Sequence, residues 1–280
     1  MVYLLKVHEY IFTFEKRLEL KLRFLKFRII ILLSFLAISL ERTNLWSQRD
    51  VSEEIIGTPY CGLQYGLNNS GGDLAERYGL INSLGAFAGY KTKKNYIFGV
   101  DGNYLFGNDI KVDGLLNTLY DEAGNITNSS GGPAIVLLFN RGFHVNATIG
   151  KVFPILSPNP NSGLMVQLSA GYLWHRIRIE TQEDFVPQLQ GDYRKGYDRL
   201  TIGANTAQFL GYSFMADQGI YNFYAGFYFQ QGFTRNQRSQ FWDKPNETVS
   251  QDIRLDLMYG FRVGWLIPIY KRQPKDFYFN

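Results

Sequence analysis

Residues 252–270 read DIRLDLMYGFRVGWLIPIY. Every second residue from Ile253 onward is apolar or aromatic: Ile253, Leu255, Leu257, Tyr259, Phe261, Val263, Trp265, Ile267 and Ile269. The intervening positions carry Asp252, Arg254, Asp256, Gly260, Arg262 and Gly264. Alternation of period two predicts a β-strand, and one much longer than the about 5–6 residues usual in soluble sheets. A strand greasy on one face and charged or glycine-rich on the other fits a transmembrane β-barrel, with lipid outside and a polar lumen inside.

The same alternation recurs upstream. Working back from 252–270, segments of this kind lie at about 59–67, 79–91, 95–106, 133–153, 163–179, 200–212 and 220–233. In the fifth, Leu164, Val166, Leu168, Ala170, Tyr172 and Trp174 share one parity, whereas Ile177 and Ile179 take the other. That switch predicts a bulge near His175. In the sixth, Thr206 and Gln208 interrupt an otherwise apolar row. The connections alternate between short turns (KTKK, ILSPNPNSG, SFMADQG) and long polar loops. Loop length is a signal separate from periodicity, and short periplasmic turns with long outer loops are the habit of outer-membrane barrels. The expected fold is therefore all-β: an eight-stranded antiparallel transmembrane β-barrel. A soluble barrel with apolar residues inside would show the same alternation. Glycine and charge on the polar parity, and Phe, Tyr and Trp near the segment ends, favour the membrane.

Composition agrees with this reading. The chain has 280 residues, 16% of them aromatic, with 28 Gly, 19 Tyr and 22 Phe. Mean hydropathy is −0.18, which does not oppose a barrel, because half of each strand is polar. Net charge is +4. Residues 1–47 hold eight Lys and Arg against four Asp and Glu, so the remainder is neutral. A basic excess confined to one terminus gives no footing for nucleic acid. That terminus carries Lys16, Arg17, Lys21, Arg23, Lys26 and Arg28, then the apolar run Ile29–Leu40, then ERTNLWSQ. The order is that of a secretory signal peptide, cleaved near Ser47–Gln48. The expected organisation is 1–47 signal peptide, 48–58 periplasmic segment, 59–270 barrel and 271–280 periplasmic tail.

An eight-stranded barrel is narrow enough for side chains to fill it, and charges inside it must be compensated. Asp101, Arg254, Asp256 and Arg262 are the candidate interior charge network, read as a salt-bridged filling rather than a solute path. Arg194, Lys195, Arg199, Arg235, Arg238 and Trp242 form a candidate loop binding surface, because Arg beside aromatic residues is frequent where proteins bind. Outer-membrane lipid, acidic lipopolysaccharide or an envelope protein is the expected partner there. The loop DGLLNTLYDEAGNITNSSGG, rich in Gly, Asn and Ser, is expected to be mobile. The single cysteine, Cys61, is read as a small outward strand residue. His144 and His175 show no metal-ligand spacing. Ser169 lies about 20 Å from His175 by strand rise, too far for a shared catalytic role. No P-loop, dinucleotide fingerprint or Cys/His finger is present, so no cofactor is expected.

The runs RKGYDRLTIG (194–203), QFLGYSF (208–214), IYNFYAGFYFQQGFTRNQR (220–238) and RLDLMYGFRVGWLIPIYKR (254–272), with the closing DFYFN, resemble a family of small outer-membrane barrels of Bacteroidota. The resemblance spans most of the chain after residue 47 and is strongest over 190–280. Similar barrels in that phylum act as accessory parts of envelope machinery, including type 9 secretion and gliding. It implies a scaffold role and assigns no functional residue. The expectation is a non-enzymatic structural or accessory barrel. An outer-leaflet lipid-modifying enzyme and a narrow channel or ligand carrier stand as alternatives.

Overall fold

A computed structural model describes residues 54–182, 185–216 and 221–269. The signal peptide, most of the 48–58 segment and the 271–280 tail predicted from sequence lie outside the described residues. In chain order the strands are β1 (Thr58–Gly72), β2 (Leu80–Lys91), β3 (Tyr96–Gly107), β4 (Ile126–Thr127), β5 (Pro133–Ala134), β6 (Val136–Phe153), β7 (Gly163–Thr181), β8 (Thr201–Phe214), β9 (Asn222–Asn236) and β10 (Arg254–Pro268). The two-residue strands β4 and β5 make a small hairpin within one long loop. The other eight pair antiparallel, neighbour to neighbour, and close when β1 meets β10. The chain is an eight-stranded antiparallel β-barrel.

The alternation that built the strands also decides which way the barrel faces. Its outer wall keeps large apolar side chains exposed, among them Val100 (58%), Phe227 (62%) and Phe261 (58%). The opposite parity buries Gln64, Asn103, Asn146, Asn205 and Arg262. A polar interior inside an apolar wall reverses the soluble pattern and is that of a transmembrane barrel. Glycines let strands approach closely. A Cβ on Gly226 would lie 2.3 Å from the Cα of Gly211 on the neighbouring strand.

Three sequence expectations need correction. The strand over 59–67 continues to Gly72, because Asn68–Gly72 stay in register with Gly260–Asp256 of β10. The first loop is correspondingly short, holding a 3-10 turn over Asp73–Glu76. The expected bulge near His175 is absent, since β6 and β7 pair without interruption from Val136↔Thr181 to Phe153↔Leu164. Ile177 and Ile179 share the inward parity of Leu173 and His175. They lie where β7 has left the membrane belt, and there an apolar residue is drawn inward to a core. The loop over 113–132 also departs from its expected mobility. Leu115, Leu116 and Ile126 are buried in the same core as Ile177 and Ile179.

Candidate functional site

Polar and charged groups gather in three places: the middle of the lumen, its loop end, and the loops above. In the middle, the carboxylate of Asp101 accepts hydrogen bonds from Asn103 Nδ2 (2.7 Å) and Thr148 Oγ1 (3.1 Å), with Asn146 Nδ2 at 3.4 Å. Gln64 donates to Asn103 (2.8 Å) and accepts from the Tyr224 hydroxyl. The Arg262 guanidinium lies 3.4 Å from the Tyr228 ring centroid. Asp101 and Arg262 line one small cavity of about 50 Å³ at the turn end, enough for a few waters at roughly 10–15 Å³ each. They compensate one another across that space and through neutral amides and hydroxyls rather than by contact. Lys91 closes the turn end differently, donating to Asn161 Oδ1 (2.7 Å) and to the Ile56 carbonyl (3.2 Å).

At the loop end, His175 Nε2 lies 3.0 Å from Asp256 Oδ2 and its Nδ1 lies 3.4 Å from the Tyr78 hydroxyl. Thr234 also donates to Asp256. A carboxylate–imidazole–hydroxyl chain is the skeleton of a hydrolytic triad. Here Tyr78 and Asp256 are 0% exposed and His175 1%, so no substrate reaches the hydroxyl. The chain acts as a latch: it fastens the first loop, through Tyr78, to β7 and β10. Arg254 reaches Asp256 only at 3.8 Å and bonds mainly to the Asp73 carbonyl (2.6 Å). The four interior charges predicted from sequence thus do not form one network: Asp101 and Arg262 share the mid-lumen cavity, Asp256 is held by His175 and Thr234, and Arg254 turns to Asp73 and Glu76 of the first loop.

Above the lumen the loops fold on one another. Leu74, Tyr78, Leu115, Leu116, Ile126, Val186, Leu189 and Tyr197 from the loops join Leu105, Leu173, Ile177, Ile179 and Met258 from the strands in one apolar core. Buried ion pairs and hydrogen bonds tie its rim. Arg199 pairs with Asp243 and lies over the Phe241 ring at 3.6 Å. Arg238 grips both oxygens of Asp198, at 2.8 and 2.5 Å, and those bonds hold its guanidinium above its ordinary pKa. Arg77 donates to the Arg199 carbonyl (3.1 Å), Thr201 (2.6 Å) and Asn236 (2.7 Å), while burial pulls its pKa down to about 10. Trp242 meets Tyr193 and Tyr197 edge-on, 5.4 and 5.8 Å between centroids.

This placement changes the reading of the loop residues. Arg199, Arg238 and Trp242 hold the cap together and are not a free surface. Arg194 bonds to the Leu189 carbonyl (3.0 Å) and Gln190. Lys195 is exposed and pairs with Asp192 (2.6 Å), whose pKa that contact lowers. Arg235 faces outward from the end of β9. Sequence reading missed Arg77 and Tyr78, which sit in a loop with no periodicity to mark them. Among the described residues, no three His, Cys, Asp or Glu side chains gather as a metal site.

No family model and no curated protein matches the chain. Among solved structures it is similar to the attachment invasion locus protein Ail of Yersinia pestis, crystallised alone and with the heparin analogue sucrose octasulfate. That likeness has 9% identity, covers 75% of this chain and 99% of that one, and has a TM-score of 0.36. It is also similar to the N-terminal β-barrel domain of Pseudomonas aeruginosa OprF (10% identity, 76% and 100% covered, TM-score 0.34). The outer membrane protein OprG of the same organism gives 7% identity, 76% and 98% coverage and a TM-score of 0.30. At these values the likenesses transfer no residue and no activity.

Proposed function

We propose that this protein is a non-enzymatic outer-membrane barrel, a structural or accessory component of a cell-envelope complex that works through the face of its loop cap. The observation that carries the reading is the cap itself, which has its own apolar core and internally paired arginines. A surface already folded loses little conformational freedom when a partner docks. Three of the four connections at the cap end are long while those at the other end are short, which supports a cap on the outer side of the membrane. Residues 190–280 resemble a family of small outer-membrane barrels of Bacteroidota with no assigned activity, and the accessory envelope role of other small barrels in that phylum is in keeping with this reading.

Cross-linking in intact cells followed by capture of an epitope-tagged chain tests it. A discrete partner band is expected, and recovery of monomer alone would overturn the scaffold reading. The channel alternative is tested in planar bilayers. Side chains fill the lumen and a latched cap covers it, so no stable open level is expected, and a persistent one would overturn the closed-barrel view. The lipid-enzyme alternative predicts that His175→Ala alters the lipid A mass profile as deletion of the gene does. An unchanged profile in both is expected.

A further inference from the structure

The uncharged outward runs of three strands end at the same kind of residue. On β7 the outward parity is uncharged from Leu164 to Trp174, and the next outward residue toward the loops is Arg176. On β9 it runs from Phe223 to Phe233, and Arg235 follows. On β6 the run toward the loops reaches Phe143, beyond which stands Arg141. The β7 and β9 runs span 11 residues each, and on β6 nine residues separate Arg141 from the outward Lys151, close to the about 9–11 residues that a tilted strand needs to cross a bilayer. The arginines therefore mark one border of the hydrocarbon layer, where lipid headgroups begin.

Their pairing is unusual. Arg141 and Arg176 are directly opposite on neighbouring antiparallel strands, which places their Cβ atoms about 4.5–5.5 Å apart, and like charges in that position repel. Neither has an acidic partner among the described residues. Arg141 donates to its neighbour's carbonyl, Asn140 O (2.8 Å), and lies over the Phe139 ring at 4.7 Å. Arg176 lies over the Trp174 ring at 5.4 Å, and its buried Nε has no hydrogen-bond partner. Arg178, one outward step beyond, is occupied by Glu180 at 2.6 Å. Two unneutralised guanidiniums held side by side form a fork that suits a multivalent oxyanion. Aromatic rings beneath them keep the head of each arginine at the interface.

We infer that Arg141 and Arg176, flanked by Arg235, bind the phosphate of a lipid headgroup seated against the β6–β7 wall. A lipid fits better than a free phosphate because the fork opens onto the acyl-facing wall, directly above Phe143 and Trp174. This inference rests on the placement under Proposed function for one detail, that the lipid is the phosphorylated glycolipid of the outer leaflet. Contact with phosphate itself needs only the membrane border.

The test uses the full mature chain, shown to be folded by heat-modifiable gel migration and placed in phosphatidylcholine nanodiscs. The nanodiscs are doped with lipid A, with dephosphorylated lipid A or with phosphatidylglycerol, and bound lipid is counted by native mass spectrometry. Lipid A is expected to be retained, dephosphorylated lipid A to be lost, and Arg141→Gln/Arg176→Gln to lower retention about tenfold or more. Lys94→Gln, exposed in the β2–β3 turn at the other end of the barrel, is the control that keeps the fold and the lipid. Equal retention by wild type and the double variant, both with normal gel migration, would overturn the inference. So would displacement of lipid A by millimolar inorganic phosphate, since the site would then be indifferent to lipid. Retention of phosphatidylglycerol as strong as that of lipid A would support the phosphate fork and instead overturn the outer-leaflet assignment.

Discussion

Arg199 and Asp243 are the residues on which the cap's closure turns, with side chains only 5% and 3% exposed. A buried ion pair adds little over a well-packed apolar pair, yet removing one partner is costly, about 3–5 kcal/mol, because a charge stays buried alone. Asp243→Ala is therefore expected to loosen the loops by about that amount, read as faster proteolytic nicking between residues 185 and 250. Barrel migration on unheated gels should not change. Arg199→Met/Asp243→Leu should nick more slowly than Asp243→Ala, and the opposite ranking would show that the pair is not what closes the cap. Nothing local in the sequence distinguishes these residues from solvated loop charges. Their pairing joins two loops whose approach only the closed barrel dictates.

Among the elements, legibility followed the pull of the membrane. Where a strand crosses lipid, period two is strict, and the spans and facing of β2, β3, β9 and β10 could be read directly from sequence. Where a strand leaves lipid, other forces set its end. Asn68–Gly72 looks like a turn by composition, but strand register, fixed by Leu63, Tyr65 and Leu67 in the wall, carries it on against β10. Strand β8 seemed weak because Thr206 and Gln208 break its apolar row. Both face outward and bond to Gln231 of β9: Thr206 Oγ1 and Gln208 Nε2 donate to Gln231 Oε1 at 2.8 and 3.2 Å, and Gln231 Nε2 donates back at 3.0 Å. Such bonds inside a membrane average only about 0.6 kcal/mol, so they do not offset the loss of apolar contact. Gln208→Leu/Gln231→Leu is expected to raise unfolding stability in lipid vesicles by about 1 kcal/mol. A fall would mean that the polar cluster serves the fold.

At the scale of the whole molecule, the lumen is stratified. A polar band of amides around Asp101 and Arg262 separates an apolar floor, with Tyr60, Ile97, Val152, Met165 and Phe209, from the larger apolar core beneath the cap. The barrel and its facing were visible in the sequence because they repeat. The cap was not, because its core collects single residues from loops far apart in the chain. Its rigidity gives a prediction at this scale. His175→Ala removes the imidazole that holds both Tyr78 and Asp256 and should free the first loop. Amide exchange over residues 73–79 is expected to rise severalfold, since loop opening then lacks the Tyr78–His175 hydrogen bond, worth about 0.5–1.5 kcal/mol. Unchanged exchange there would show that apolar packing alone holds Tyr78.

The junction of β1 with β10, from Tyr60↔Pro268 to Gly72↔Asp256, has a consequence for manufacture. The strand made first finds its final neighbour only in the strand made last. Until Pro268 has been synthesised, β1 presents a bare edge, and so does β9 until β10 is complete. A ribosome that stalls, or a message cut short, therefore yields a chain that cannot seal. The ring tests its own closure, because only a chain that has reached Pro268 holds both halves of the lock.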